Sequence, residues 1–334
     1  MTELSATIFI AFILDLLIGD PPYRCHPARL VGHSIHYFEG LLRRSGWDGR
    51  GGGILLVLMT GAGTLVSYLV LDSLFFRIHP WFHFLFNLYV TYSLLALGDL
   101  LNHVKPVLAH LEMGELDQAR KALSMVVGRD VQTLDEPGVG RAAVETLAEN
   151  FVDGFLSPIF WFFAGWAVSL FFGGSRITVS VGLMLLFKVA STLDSMVGYK
   201  DMPYLRFGWA GARLDDLMNF LPARLSIVFL FLGAGITRLR AMEGLRIALR
   251  DRLKHDSPNA AHAESFVAGA LGIRLGGPTL YPGGMKTKPW LGDGTAEVGK
   301  GHIRQTLALL RGSALVVVLA LLSTFFFIYH VTTL

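Results

Sequence analysis

Asp194, Asp215 and Asp216 share the polar stretch 188–224 with Lys188, Arg213 and Arg224. Carboxylates grouped with lysine and arginine supply the two halves of a magnesium and phosphate site, hard oxygens for the metal and charged donors for the anion. At helical spacing Lys188, Thr192 and Ser195 fall on one face, as do Asp215 and Asn219, and Arg213 stands three residues before Asp216, within pairing reach. Tyr199 to Trp209 reads as a glycine, proline and aromatic loop that shapes a pocket. Solvated helix ends use the same residue types. Against that bland reading, the stretch lies between two apolar runs, where charge costs on the order of several kcal/mol unless paired, hydrated or ligated.

A second cluster places Arg141, Glu145 and Glu149 on one helix face, with Asn150 and Asp153 at the edge of the next apolar run. It reads equally as a wet ion-pair ladder and as a set of oxygen ligands for Mg²⁺. A third begins inside the first apolar run at Asp15 and continues through Asp20-Pro21-Pro22, a helix stop, to His26. His26, His33 and His36 repeat no metal-ligand spacing. In a fourth, Ser257-Pro258 reads as a helix start with a serine cap, a terminus that can take an anion, followed by Asn259 and Glu264. Gly294 to Lys300 fits the first seven positions of a phosphate-binding loop, but Gly301 replaces the hydroxyl residue and no strand precedes it. Gly138-Val139-Gly140 lacks a strand as well. Neither predicts a nucleotide loop.

The elements that must position these residues are membrane helices. Of 334 residues 52% are hydrophobic and 16% charged, with a mean hydropathy of +0.50, too apolar for an ordinary soluble domain. The single cysteine, Cys25, excludes an internal disulfide framework and a cysteine zinc cluster. Apolar runs occur at 4–18, 54–71, 81–97, 155–172, 177–190, 226–236 and 314–331, and a span needs about 20 residues. The run at 226–236 is too short and reads as a re-entrant or interfacial helix. Segments 19–53, 98–154 and 188–224 carry five basic residues each and 237–304 carries eleven. Six spans with both ends outside put all four in the cytoplasm. The first run lacks a basic leader and a cleavage site and reads as a retained span. The expected fold is all-α: a polytopic integral membrane protein of about six spanning helices, one short re-entrant or interfacial helix and helical cytoplasmic loops. Residues 1–334 form one membrane-embedded catalytic domain.

Four stretches, DLLIGDPPYRCHPARLVG, ETLAENFVDGFLSPIFW, the whole of 188–224 and SPNAAHAESFVAGALGIRLGG, together resemble the CobD/CbiB family of cobalamin biosynthesis, the adenosylcobinamide-phosphate synthases. The resemblance runs in order from Asp15 to Tyr281. It departs at Ala261 and Ala263, where glycine and proline are expected, which loosens any substrate preference argued from that motif. It implies an inner-membrane enzyme, its active site facing the cytoplasm, that joins adenosylcobyric acid to aminopropanol or its O-phosphate through an amide. ATP and Mg²⁺ are implied, the carboxylate being activated as an acyl phosphate before the amine attacks. Glu145, Glu149, Asp194, Asp215 and Asp216 are then the catalytic candidates, with Glu149, Asp153, Asp194 and Asp215 as metal ligands. Lys188, Arg213 and Arg224 would hold phosphate, and Asp20, His26, Ser257, Asn259 and Glu264 would complete the pocket. The implied partners are the corrinoid, the amine and the lipid bilayer, with no nucleic acid. Other cobalamin-assembly enzymes and a homo-oligomer are compatible with it. The alternatives are a non-catalytic membrane sensor of similar topology and a polytopic transferase acting on a phosphorylated substrate, although the latter's paired Asp-x-x-x-Asp motifs are absent.

Overall fold

Within hydrocarbon every backbone amide must be satisfied inside its own segment, so long apolar runs become helices. The computed structural model describes residues 3–21, 23–281 and 284–333. In chain order it contains α1 (Glu3–Ile18), α2 (Pro27–Arg44), α3 (Arg50–Ile78), α4 (Pro80–Leu94), α5 (Leu97–Glu112), α6 (Leu116–Leu123) and α7 (Glu136–Phe151). A π-helical turn at Val152–Leu156 leads into α8 (Ser157–Phe172), followed by α9 (Arg176–Val197), α10 (Tyr204–Phe207), α11 (Trp209–Met218) and α12 (Phe220–Ile236). After α13 (Ala241–Asp251) and α14 (Ala260–Leu271), an antiparallel hairpin of β1 (Leu275–Tyr281) and β2 (Gly284–Leu291) precedes α15 (Lys300–Thr333).

Among the described residues six helical runs are long and apolar enough to cross a membrane: Arg50–Ile78, Pro80–Met113, Glu136–Phe172, Arg176–Val197, Trp209–Ile236 and Lys300–Ile328. The chain is thus an all-helical multi-pass membrane protein, with the number of spans expected from the sequence. By length and composition alone, α1 with its 16 residues falls outside this set, and the run at 226–236 enters it only as part of Trp209–Ile236, which joins α11 and α12 across Asn219. Leu214, Leu217, Met218, Phe220 and Leu221 extend that apolar length upstream, past the charges of Asp215 and Asp216 that interrupt the hydropathy.

Contacts divide the chain into two compact units. The first comprises residues 1–96, 157–219 and 322–334. Its core joins α2, α3, α9 and α10 through Val31, Ile35, Leu42, Leu56, Val189, Leu193, Val197 and Phe207. It also holds a buried polar network that the sequence reading did not single out. Asp72 of α3 pairs with His83 Nε2 at 3.0 Å and accepts from Asn87 Nδ2 at 2.7 Å and from Thr178 Oγ1 at 2.8 Å. Tyr68 donates to Asn87 Oδ1 at 2.7 Å. Each partner removed from such a network leaves others unsatisfied where water cannot replace it. Asp72→Ala is expected to cost about 3–5 kcal/mol, and Asp72→Asn, which keeps one acceptor, less. Thermal unfolding in detergent checks this: equal midpoints for wild type and Asp72→Ala would mean the network does not hold α3, α4 and α9 together.

The second unit comprises residues 97–156 and 220–321. Here the two rejected nucleotide-like motifs find another explanation, close packing of backbone. A Cβ on Gly140 would stand 1.8 Å from the Val298 carbonyl, and one on Gly294 1.8 Å from that of Gly272. The cytoplasmic loops are expected to be helical, but residues 275–291 form the hairpin, with a bulge between Gly276 and Pro278. Its end is tied to α13: buried Asp251 accepts from the Gly292 amide at 2.9 Å, from Arg250 at 2.7 Å and from Lys254 at 2.6 Å. Burial alone would push that carboxyl up, but the bonds from Arg250, Gly292 and Lys254 outweigh it and hold it well below the usual range.

Candidate active site

In the second unit the ladder on α7 is wet at one end only: Glu149 is exposed and Arg141 half-buried, but Glu145 is shut in. Glu145 is only 4% exposed. Its Oε2 pairs with the Arg129 guanidinium and its Oε1 accepts from the Gly276 amide at 2.7 Å. Arg141, the residue that spacing assigned to it, instead lies over the Trp290 ring at 5.3 Å. The reason is tertiary: the loop before α7 carries Arg129 onto the helix, and β1 presents a backbone donor to the same carboxylate. Glu264 of α14 is 5% exposed and lies within electrostatic reach of Glu149, Glu145, Lys288 and Arg129. Burial first, then the neighbouring Glu149 and Glu145, push its carboxyl well above the usual glutamate range. Three carboxyl groups thus stand near two cations and one amide, and the environment of Glu264 favours its protonated form. A group whose environment sets it apart from a neighbouring carboxylate is how an acid and a base come to coexist in one site. Asp153 follows on the π-helical turn, a rare distortion found disproportionately at functional sites.

Beside α14 stand Arg224, Asn259 and Ser257. The helix begins at Ala260, two residues later than Ser257-Pro258 suggests, with Asn259 at the cap position. Ser257 Oγ still accepts from the amides of Asn259 and Ala260, at 3.3 and 3.4 Å. Arg224 donates to Asn259 Oδ1 at 3.4 Å and lies over the Phe220 ring.

The first unit holds the other expected residues in three arrangements. Asp194 and Asp216 are within electrostatic range of each other, with Lys200 in reach of both. Arg213 pairs with Asp216 at 3.5 Å, as the spacing predicts. Asp215 accepts from Asn219 Nδ2 at 3.1 Å, and Asn219 Oδ1 in turn accepts from Ser157 at 2.6 Å, so this aspartate anchors a chain of hydrogen bonds to α8. Lys188 lies on α9, the helix that carries Asp194. Asp20 and His26 bond to each other at 2.6 Å beside a cavity of about 230 Å³. The Ala28 amide can only donate, so His26 Nδ1 accepts from it at 3.2 Å and Nε2–H donates to Asp20. His26 is the cap of α2 and Asp20 fixes its ring. Pro22, the second proline of the expected helix stop, lies outside the described residues. A larger apolar cavity of about 810 Å³, lined by Leu30, Phe38, Tyr68, Phe86 and Tyr89 among others, contains none of the expected site residues.

Sequence reasoning missed Arg129, Lys288 and the Gly276 amide. The available signal was one of charge: the carboxylates Glu145, Glu149 and Glu264 call for cations that the helix-face spacing did not supply.

A family model described as "CobD/Cbib protein" matches residues 8–310. The cobalamin biosynthesis protein CbiB of Salmonella typhimurium is 41% identical over 305 residues, covering 90% of this chain and 91% of the relative. The cobalamin biosynthesis protein CobD of Photorhabdus laumondii is 42% identical over 309 residues, 91% of this chain and 92% of the relative. Its namesake in Yersinia enterocolitica is 40% identical over 314 residues, with 93% and 94% covered. No solved structure matches. With a family model covering most of its length and relatives at this identity along nine-tenths of it, the chain belongs to the CobD/Cbib family.

Proposed function

We propose that this protein acts in cobalamin biosynthesis as an amide-forming ligase, joining adenosylcobyric acid to (R)-1-amino-2-propanol O-phosphate, or to aminopropanol itself. The reaction would take place at the cytoplasmic face of the cell inner membrane. The names of the relatives support the pathway. The observation that carries the reaction type is the pair of buried carboxyls Glu145 and Glu264, with the exposed Glu149 and with Arg129 and Lys288 in electrostatic reach of Glu264. Amide formation needs a donor of protons to an oxygen and an acceptor of protons from an ammonium, placed side by side. The Glu264 carboxyl holds a proton and donates it to the carboxyl oxygen that leaves. Glu149 accepts the proton that the amine sheds. Arg129 and Lys288 balance charge that builds between the carboxylates, and Arg129 and the Gly276 amide fix Glu145.

Magnesium and ATP fit this donor set. Among the described residues no three His, Cys, Asp or Glu side chains are gathered as a metal cage. Glu149 and Asp153 suit an ion that takes one or two carboxylates and fills its remaining positions with water and phosphate oxygens. When bound, the nucleotide supplies the phosphoryl group that makes the substrate carboxylate electrophilic. Asp194 and Asp216 with Arg213 form a second acidic group of the same chemical kind in the first unit, and Lys188 and Asp215 stand on its two helices. The test is purified protein with adenosylcobyric acid, Mg·ATP and each amine in turn, products weighed by mass spectrometry. An amide product that requires ATP is the expected result. Absence of product with either amine would favour the non-catalytic sensor.

A further inference from the structure

We propose that Arg252 and His262 complete, with Arg224 and Asn259, a binding site for a phosphate group at the N-terminus of α14. The helix is twelve residues long and its N-terminus favours an anion, with the Ala260 amide given to Ser257 Oγ and the His262 amide to the Asn259 carbonyl. His262, in its first turn, is completely buried, and its Nε2 has no hydrogen-bond partner. The Nε of Arg252, at the end of α13, is likewise buried and unpartnered. Arg224 and Arg252 are close enough to repel each other, and neither has a carboxylate partner among the described residues. Two guanidinium groups brought together without an anion, beside a helix start and an unsatisfied buried imidazole, are a cost to the fold that a bound phosphate repays.

The tautomer sharpens the chemistry. His262 Nδ1 faces the Asn259 carbonyl at 3.2 Å, so Nδ1 carries the hydrogen and Nε2 is a lone pair in the neutral ring. Burial, then Arg224 and Arg252, push the imidazole down to about 4. From the elements packed on α14, those two arginines act on His262. Glu145 and Glu149 of α7, Lys288 of β2 and Arg129 act on Glu264. An anion set between the arginines reverses the field at His262 and draws a proton onto Nε2, which becomes a donor to it. Binding is therefore coupled to proton uptake. The inference rests on the proposed ligase reading only for the occupant, the phosphate of the phosphorylated amine or of the nucleotide.

The full-length protein in detergent is titrated with inorganic phosphate, and with sulfate, which carries no titrating proton near neutrality, in buffers of different ionisation enthalpy at about pH 6. Expected are phosphate binding weakened about tenfold in Arg252→Gln and proton uptake with sulfate that disappears in His262→Gln. Should His262→Gln fail to fold, the wild-type proton uptake and Arg252→Gln still decide. No anion binding, unchanged affinity in Arg252→Gln, or sulfate binding without proton uptake overturns the site. Displacement of phosphate by aminopropanol O-phosphate assigns it to the amine and displacement by Mg·ATP to the nucleotide, whereas displacement by neither sinks it. Wild-type amide formation alongside a negative anion result leaves the ligase reading intact. Anion binding as expected without any amide product sinks that reading and leaves the site.

Discussion

Glu264→Gln is expected to lower amide formation by about 10²–10⁴-fold, the range for a lost acid or base, without unfolding the protein. The carboxyl is buried on α14 with Glu149 and Glu145 nearby, and both circumstances favour its neutral form. Glutamine has nearly the same shape and hydrogen-bonding capacity as a protonated carboxyl, so the packing survives and the transferable proton does not. The same reasoning fixes a pH dependence. Because the folded-state value lies above the unfolded one, about 4.3, Glu264 contributes its full stability below that pH. The contribution is lost as pH rises through the folded value. Glutamine does not titrate, so the variant lacks this decline and is at least as stable as wild type near neutrality. Denaturation of both proteins across a pH series, run beside the mass-spectrometric assay, measures the two effects separately. A wild-type rate in Glu264→Gln would remove this carboxyl from the chemistry, and parallel stability curves would mean that it ionises as easily as a carboxyl in water.

Arg129→Leu is expected to destabilise the protein by about 3–5 kcal/mol, the cost of stranding one half of a buried ion pair. Glu145 is shut from water and accepts from the Arg129 guanidinium and the Gly276 amide. Removing Arg129 leaves a carboxylate with one neutral donor in a crowded acidic neighbourhood. Most of the loss is the stranded charge and not the missing bond, so Glu145→Gln added to Arg129→Leu recovers part of it. Arg141→Leu serves as the comparison, since it removes an equal charge stacked on Trp290, for which about 0.5–1 kcal/mol is the expected scale. Chemical denaturation in detergent gives all the values. Additive losses in the double variant would mean that Glu145 is not the group stranded by the loss of Arg129.

Local sequence determined a good deal. Hydropathy predicted an all-helical chain with six crossings, because a helix satisfies its own backbone and needs only length and apolar side chains. Spacing predicted the Arg213–Asp216 pair, a property of one helix face. The family resemblance read from four stretches is borne out by the family model and the relatives. The acidic residues Glu145, Glu149 and Glu264 were named as candidates, yet not as one group. Only tertiary structure decided that, since α7 and α14 are more than a hundred residues apart in sequence and nothing local ties them.

The same limit explains the other differences. The Glu145 cation came from Arg129, outside the helix, because a buried carboxylate is satisfied by whatever donor the fold carries to it and not by its sequence neighbour. The hairpin escaped notice because β1 opens with Gly276, Gly277 and Pro278, residues poor in strand propensity whose pairing depends on β2. Asp72 and His83 drew no reading from sequence, because only the meeting of α3, α4 and α9 brings them together. Sequence by itself determined that the long apolar segments are helices and which polar types stand near their ends, since hydropathy and helix periodicity are local. Which of those groups are buried together, and which therefore keep or lose a proton, was decided by packing alone, because desolvation and charge pairing depend on distance in space.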